Sequence, residues 1–318
     1  MVVVGVSPQS LGESITMAFA ANSPQLLVLA SRTMSKIKAV ATKVKEQYPD
    51  VELKLVEVDL SSFASIHEAA TEINNVVDKI DILVNNAGVV DTTPRTTKDG
   101  LELQFGTNHI GIFLLTNLLM PKILKAAQKS QSKGSTRVIN MTSAGHLISP
   151  IRFSDYNFKK RPEDIPEDER PMSRPEASFD PPPGKTYVPF VAYGQSKTGN
   201  ILMALSISQK LASEGVRSIA THPGSIWTDM SRNLDEEHLN IIKKTGDFWK
   251  NLDQGGATTM VAALDPKLVD DKDIIYLADC QVAGCASHAS DPKAAERLWK
   301  LSEEIVGQKF DLGHASSL

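Results

Sequence analysis

Tyr193 and Lys197 stand four residues apart, a spacing that puts them one turn from each other on a single helix face. An ammonium beside a phenol favours the phenolate and draws the tyrosine pKa down from its ordinary value of about 10. A tyrosine tuned in this way can give a proton to, or take one from, a hydroxyl or carbonyl oxygen. Ser143 follows a short apolar run, where a hydroxyl can donate to such an oxygen as charge develops on it. Asn108 lies within a helical apolar pattern of Phe105, Ile110, Ile112, Leu114 and Leu115, a setting that asparagine disfavours. Each has a plainer reading. Tyr-x-x-x-Lys arises by chance, Ser143 can be a turn residue, Lys197 an exposed helix lysine and Asn108 a buried structural asparagine.

The elements that must position these groups follow from the apolar runs. Val2–Val6, Leu26–Ala30, Glu52–Val58, Ile80–Asn85, Arg137–Met141, Arg217–Thr221 and Ile274–Leu277 read as strands separated by amphipathic helices. Strands of Val, Ile and Leu without polar alternation are buried on both faces, which means a parallel sheet covered by helices. The βαβ rhythm predicts an α/β protein with a doubly wound parallel sheet and a ligand beyond the carboxyl ends of the strands. No repeat or domain boundary interrupts it, so residues 1–318 read as a single domain.

Four more segments fall in order around the pair: Asn85-Asn86-Ala87-Gly88, Thr107-Asn108-His109-Ile110-Gly111, Asn140-Met141-Thr142-Ser143-Ala144 and His222-Pro223-Gly224-Ser225-Ile226-Trp227-Thr228. With them the chain resembles the short-chain dehydrogenase/reductase family over nearly its whole length. The retinol-dehydrogenase-like branch and its fungal relatives are the nearest fit, through Asp99-Gly100-Leu101-Glu102, Gln104–His109 and Arg297–Glu303. The resemblance implies a Rossmann-type fold and hydride transfer between a nicotinamide and a carbonyl or secondary alcohol. It makes Tyr193 the acid and base, Ser143 the group that positions the oxygen, and Lys197 a tuner of Tyr193 that also binds the nicotinamide ribose. It gives Asn108 the bend in its helix and a water in the proton relay. Pro223 would turn the chain beside the nicotinamide, with Ile226 and Thr228 holding its carboxamide. Asp59 and Leu60 would touch adenine, although Asp59 also reads as an N-cap for a helix starting near Ser62. Asn85, Ala87 and Gly88 would pass beneath the cofactor, the asparagine also tying neighbouring strands.

The first strand-to-helix turn departs from the family pattern. Gly5-Val6-Ser7-Pro8-Gln9-Ser10-Leu11-Gly12 stands where Thr-Gly-x-x-x-Gly-x-Gly is usual. Aligned on Gly5, the loop is one residue long and Ser10 replaces the middle glycine; the hydroxyls of Ser7 and Ser10 then offer donors to phosphate. After the second strand, Ser31-Arg32 replaces the acidic residue typical of NAD sites. Arg32 suits a 2′-phosphate, so NADP(H) is expected, unless it merely ends a strand.

Other features bound the function. Net charge is −4, which argues against nucleic acid and anionic membranes. The apolar stretch Phe113–Met120 is broken by Asn117, so no membrane span is expected. Cys280 and Cys285, the only cysteines, form no disulfide framework and suit a reducing compartment; the expectation is a cytoplasmic protein. His109, His146 and His222 lack the spacing of a ligand set, so no metal is expected. Relatives carry a lead-in before the first strand, which implies a truncated or alternative start. Relatives also dimerise through helices that correspond here to about 108–129 and 193–213. The second carries Ile201, Leu202, Leu205 and Leu211 as a stripe for a possible homodimer or for core.

Arg152–Thr186 breaks the rhythm with seven prolines, seven basic and eight acidic residues. It cannot form a helix or interior strand. It reads as a mobile surface insertion or as a substrate flap with Phe153, Tyr156, Phe158 and Phe179 on its underside. The family points to a hydrophobic small-molecule substrate, a secondary-metabolite intermediate for example. Two rivals stay open: a non-redox isomerase, dehydratase or cyclase on the same scaffold, and a non-catalytic cofactor-binding protein.

Overall fold

The computed structural model describes residues 1–172, 180–227, 236–243, 248–269, 273 and 275–312. Its apolar runs become β1 (Val2–Val4), β2 (Leu26–Ser31), β3 (Glu52–Glu57), β4 (Ile82–Asn85), β5 (Thr136–Met141), β6 (Val216–His222), β7 (Tyr276–Ala278) and β8 (Gln281–Val282). They form one eight-stranded sheet in the order β3-β2-β1-β4-β5-β6-β7-β8. Every pairing is parallel except β7 with β8. Strand order reverses between β1 and β4, so a crevice opens at their carboxyl ends.

The helices are α1 (Leu11–Ala20), α2 (Met34–Gln47), α3 (Phe63–Val76), α4 (Leu103–Phe105), α5 (Gly111–Lys129), α6 (Pro189–Leu211), α7 (Glu236–Lys243), α8 (Leu252–Leu264) and α9 (Pro292–Val306). Strand side chains alternate between two covering layers. Val2 and Val4 pack with residues of α3, α5 and α6, while Val3 packs with α1, α2 and α8. Each such buried aliphatic side chain contributes about 1.5–3 kcal/mol.

Two strand ends differ from expectation for backbone reasons. β1 stops at Val4 because Gly5 turns the chain at φ +95°. β8 follows β7 through Asp279 and Cys280, both left-handed, a two-residue hairpin that Asp-Cys does not announce in sequence. Ile274, expected in the last parallel strand, lies outside the described residues.

α4, a π-helical turn at Gly106–Ile110 and α5 run on as one rod, Leu103–Lys129. By length and apolarity this rod could cross a bilayer, which the broken run at Asn117 had argued against. Most of it is buried inside the fold instead, packed against α3. α9 lies across the rod and α6. Trp299 meets Phe113 edge-on at 4.8 Å, and Leu298 and Ala295 pack with Leu202 and Leu205. The stripe Ile201, Leu202, Leu205 and Leu211 is therefore buried within the chain and presents no face to a second copy.

The insertion is held down through residue 172. Its few ordered turns are 3-10, at Pro162–Asp164 and Glu167–Glu169. Polar side chains replace the missing ladder. Asp155 accepts from the Lys159 and Lys160 N–H groups and pairs with buried Arg152 at 2.5 Å. Buried Glu169 accepts from Ser154 and from Arg297 of α9. Phe158 is buried against Val191 and Ala192, with Phe153 and Tyr156 partly buried, which gives the expected apolar underside. Phe179 lies outside the described residues. Residues 152–172 are thus anchored at these points, because buried carboxylates satisfy loop N–H groups that composition alone left open.

Candidate active site

β5 ends at Met141, and Ser143 caps the 3-10 turn Ala144–Leu147, its hydroxyl accepting from the Gly145 N–H at 3.1 Å. That turn leans on α6, whose second and third turns carry Tyr193 and Lys197. Gly145 is required there, since a Cβ would fall 2.9 Å from the Tyr193 ring. The Ser143 hydroxyl lies near enough to the Tyr193 phenol to pull its pKa down against the effect of burial. Lys197 is 1 % exposed, and its ammonium donates to the Met141 carbonyl at 3.2 Å, 5.5 Å from the centre of the Tyr193 ring. Thr142 fixes the same turn of α6 by donating to the Lys197 carbonyl.

Charge tuning differs from the simple expectation. Burial pushes the Tyr193 phenol up to about 12, with the Ser143 hydroxyl pulling the other way. Burial also brings Lys197 down to about 8. Desolvation therefore governs both groups, and it is Ser143 rather than Lys197 that favours the phenolate.

Asn108 sits in the π-helical turn between α4 and α5. Its carboxamide is fully used: it accepts from the Val89 N–H at 2.7 Å and donates to the Val89 carbonyl and to Ser196. Ser196 in turn donates to the Tyr193 carbonyl. Gly88 lies between: a Cβ there would be 3.2 Å from the Lys197 ammonium and 3.5 Å from the Asn108 oxygen. Tyr193, Lys197, Ser143, Asn108 and Gly88 thus form one cluster.

The crevice beside them carries most of the other expected residues. Gly5 meets Ala87 so closely that a Cβ would fall 2.5 Å from its backbone, and Asn86 donates to the Gly5 carbonyl. Asn85 donates to Asn140 and Thr116, and Asn140 to Ser218, an amide ladder tying β4, β5 and β6. Arg32 is exposed after β2 and pairs with no carboxylate among the described residues. Asp59 is not the N-cap; Ser62 is. Instead Asp59 holds a turn by accepting from Ser61, and burial, which would raise its pKa, is outweighed by Ser61 and Lys98. Leu60 turns its side chain into the core. Ile226 and Leu11 converge over Gly255. Thr228 lies outside the described residues.

The loop settles on the alignment through Gly5. Gln9, the position after the extra residue, takes the left-handed conformation at φ +55°, and Ser10 is the N-cap of α1. The Ser10 hydroxyl proton goes to the Ser7 carbonyl at 2.6 Å, so Ser10 is not the free phosphate donor expected of it. The Leu11 and Gly12 N–H groups have no backbone acceptor among the described residues. Free N–H groups at a helix N-terminus, an unpaired Arg32 and a glycine at 88 fit a dinucleotide phosphate and ribose.

His146, set aside as a metal ligand, has a role that spacing from Ser143 hinted at. Its Nδ1 donates to the Ser143 carbonyl at 2.7 Å and its Nε2 accepts from the Ala286 N–H, an arrangement that fixes the tautomer. Thr198, next to Lys197, donates to the His146 carbonyl. Among the described residues no group of three His, Cys, Asp or Glu is placed to hold a metal ion.

A doubly wound sheet with a Tyr-Lys-Ser cluster at its strand ends defines a Rossmann-type protein of the dehydrogenase kind. Residues 1–160 match the family model described as short chain dehydrogenase, and the chain belongs to that family. It is 37% identical over 227 residues to Oxidoreductase fscI of Fusarium equiseti, covering 71% of this chain and 86% of that one. Against Retinol dehydrogenase 12 of Mus musculus it is 31% identical over 285 residues, covering 89% and 79%. The fold of NADPH bound carbonyl reductase from chicken fatty liver matches with a TM-score of 0.60 at 21% identity, covering 89% of this chain and 98% of that one.

Proposed function

We propose that this oxidoreductase is NADP(H)-dependent and moves hydride to or from a carbonyl or secondary-alcohol carbon of a hydrophobic small molecule, such as a secondary-metabolite intermediate. The observation that carries the reading is the joining of partly buried Ser143 and Tyr193 with fully buried Lys197 in one cluster beside Gly88. The cofactor supplies or accepts the hydride when bound. Ser143 donates to the substrate oxygen, and Tyr193 gives that oxygen a proton in reduction and takes it back in oxidation. Lys197 meets the ribose hydroxyls and holds charge beside the phenol. Asn108 keeps Val89 and Ser196 in register around Lys197. Arg32 reads the 2′-phosphate, and the anchored insertion forms a wall of the substrate mouth. Two free thiols, Cys280 and Cys285, support a reducing, cytoplasmic setting.

Tyr193→Phe tests the reading. Turnover of NADPH with a panel of hydrophobic ketones and aldehydes should fall at least about a thousandfold, near the size of general-acid catalysis, while NADPH affinity holds within twofold. Equal loss of binding and turnover would make Tyr193 a structural residue.

The spent donors of the first loop favour a second reading, acid–base isomerisation or dehydration without redox. A substrate-dependent change in nicotinamide absorbance rules that out.

A further inference from the structure

Ser10-Leu11-Gly12-Glu13 opens α1 with serine at the N-cap and glutamate three residues on, the pattern of a capping box. Ser10 accepts from the Glu13 N–H at 3.3 Å. The Glu13 carboxylate reaches past the N-cap and accepts from the Gln9 N–H at 2.5 Å, while its other oxygen pairs with Lys43. The bond to Gln9 also supports a left-handed residue that lacks the freedom of glycine. A carboxylate in the first turn of a helix complements the positive end of its dipole, and a phosphate bound there draws on the same field.

We propose that Glu13 sets the affinity of this chain for its anionic cofactor, by filling from within the protein a donor and a charge position that the pyrophosphate would otherwise share. The proposal rests on the NADP(H) reading above. The Leu11 and Gly12 N–H groups stay open, so the loop still accepts a phosphate, but against a fixed negative charge. Lys43 offsets part of that charge from α2, with nearly half of its side chain exposed to solvent and salt. Replacing the middle glycine by Ser10 thus does more than lengthen a side chain. It converts an open phosphate loop into a self-capped helix start.

The experiment titrates the full chain with NADPH, followed by tryptophan fluorescence, for the wild type, Glu13→Ala, Glu13→Gln and Lys43→Met. Glu13→Ala should lower the NADPH Kd about 3–10-fold, the size of one helix-end charge. Glu13→Gln, which keeps an acceptor for Gln9 but loses the charge, should lower it less. Lys43→Met, which leaves the carboxylate unpaired, should raise it. These differences should shrink at high salt. Thermal melting tracks the fold, and Glu13→Gln is the variant least able to disturb it. Wild-type or weaker affinity in both Glu13 variants overturns the proposal alone. Failure of the wild type and every variant to bind NADPH overturns the cofactor reading and the proposal together.

Discussion

The β1–α1 loop and the Ser143–Tyr193–Lys197 pocket face the same crevice but are built on opposite terms. In the loop, exposed or half-exposed side chains satisfy one another: Ser10 with Ser7, Glu13 with Gln9 and Lys43. In the pocket, buried side chains are held by backbone from other segments: Lys197 by Met141, Asn108 by Val89, and His146 by the Ser143 carbonyl and the Ala286 N–H. Packing fixes the pocket, so a small intrusion there should cost catalysis. Local turn chemistry fixes the loop, so changes there should move cofactor affinity and leave the chemical step alone.

Gly145→Ala is the strongest way to break that contrast. The added Cβ would press on the Tyr193 ring from 2.9 Å, and displacing an acid by a fraction of an ångström should cost about 10–100-fold in kcat. NADPH affinity should hold within twofold; kinetics beside a binding titration checks both. On the loop side, Arg32→Ala should raise the NADPH Kd about tenfold, the worth of a charge-assisted phosphate contact, and leave NADH within twofold. Equal weakening of both would remove Arg32 from 2′-phosphate recognition.

The smallest effect sharpens the comparison through a second carboxylate. Glu102 is buried at the start of the rod, accepting from Gln104, Phe105 and Tyr187, and burial pushes it up to about 7 despite those bonds. The folded chain then keeps a proton that the unfolded chain, with an ordinary carboxyl of 4.5, releases. Stability from this group is full below the unfolded value and declines as pH rises to about 7, by at most about 1.4 kcal/mol per pH unit. Glu102→Gln should remove that slope. Buried His109, brought down to about 3 by desolvation, contributes the opposite slope below about pH 6.5 in both proteins. The measurement is therefore the difference between wild type and variant in urea unfolding at pH 5 and 7.5.

The contrast also governs what sequence could reveal. Parallel strands were legible because Val, Leu and Ile runs buried on both faces have few other uses. That Tyr193, Lys197, Ser143 and Asn108 belong together came from the family resemblance, since the Tyr-Lys spacing alone arises by chance. What stayed hidden depends on backbone angle or on partners far away in the chain. Gln9 shows no sign in sequence of its positive φ, nor does the Asp279-Cys280 hairpin. The anchoring of the insertion needed Gln195, which accepts from the Arg152 N–H, and Arg297 on α9. Composition alone could only report that a ladder was absent. Lys197 and Tyr193 show the remaining gap: spacing places two groups together, but the balance of burial against charge depends on how far the fold desolvates each.

α9 carries a consequence for the order in which the molecule can be made. His109, beside Asn108, closes on Ser302 at 3.0 Å across 193 positions, and Phe113 rests on Trp299. The helix that bears Asn108 therefore waits, during synthesis, for a brace made 193 positions later. Until then its apolar flank is open, and the nascent chain holds strands and nucleotide loop without a settled floor under the reacting groups. Contacts of such long reach make for late closure of the fold. A stalled or shortened chain lacking α9 would keep much of the cofactor side while forfeiting the catalytic one, and it would be a target for chaperones through that bare flank.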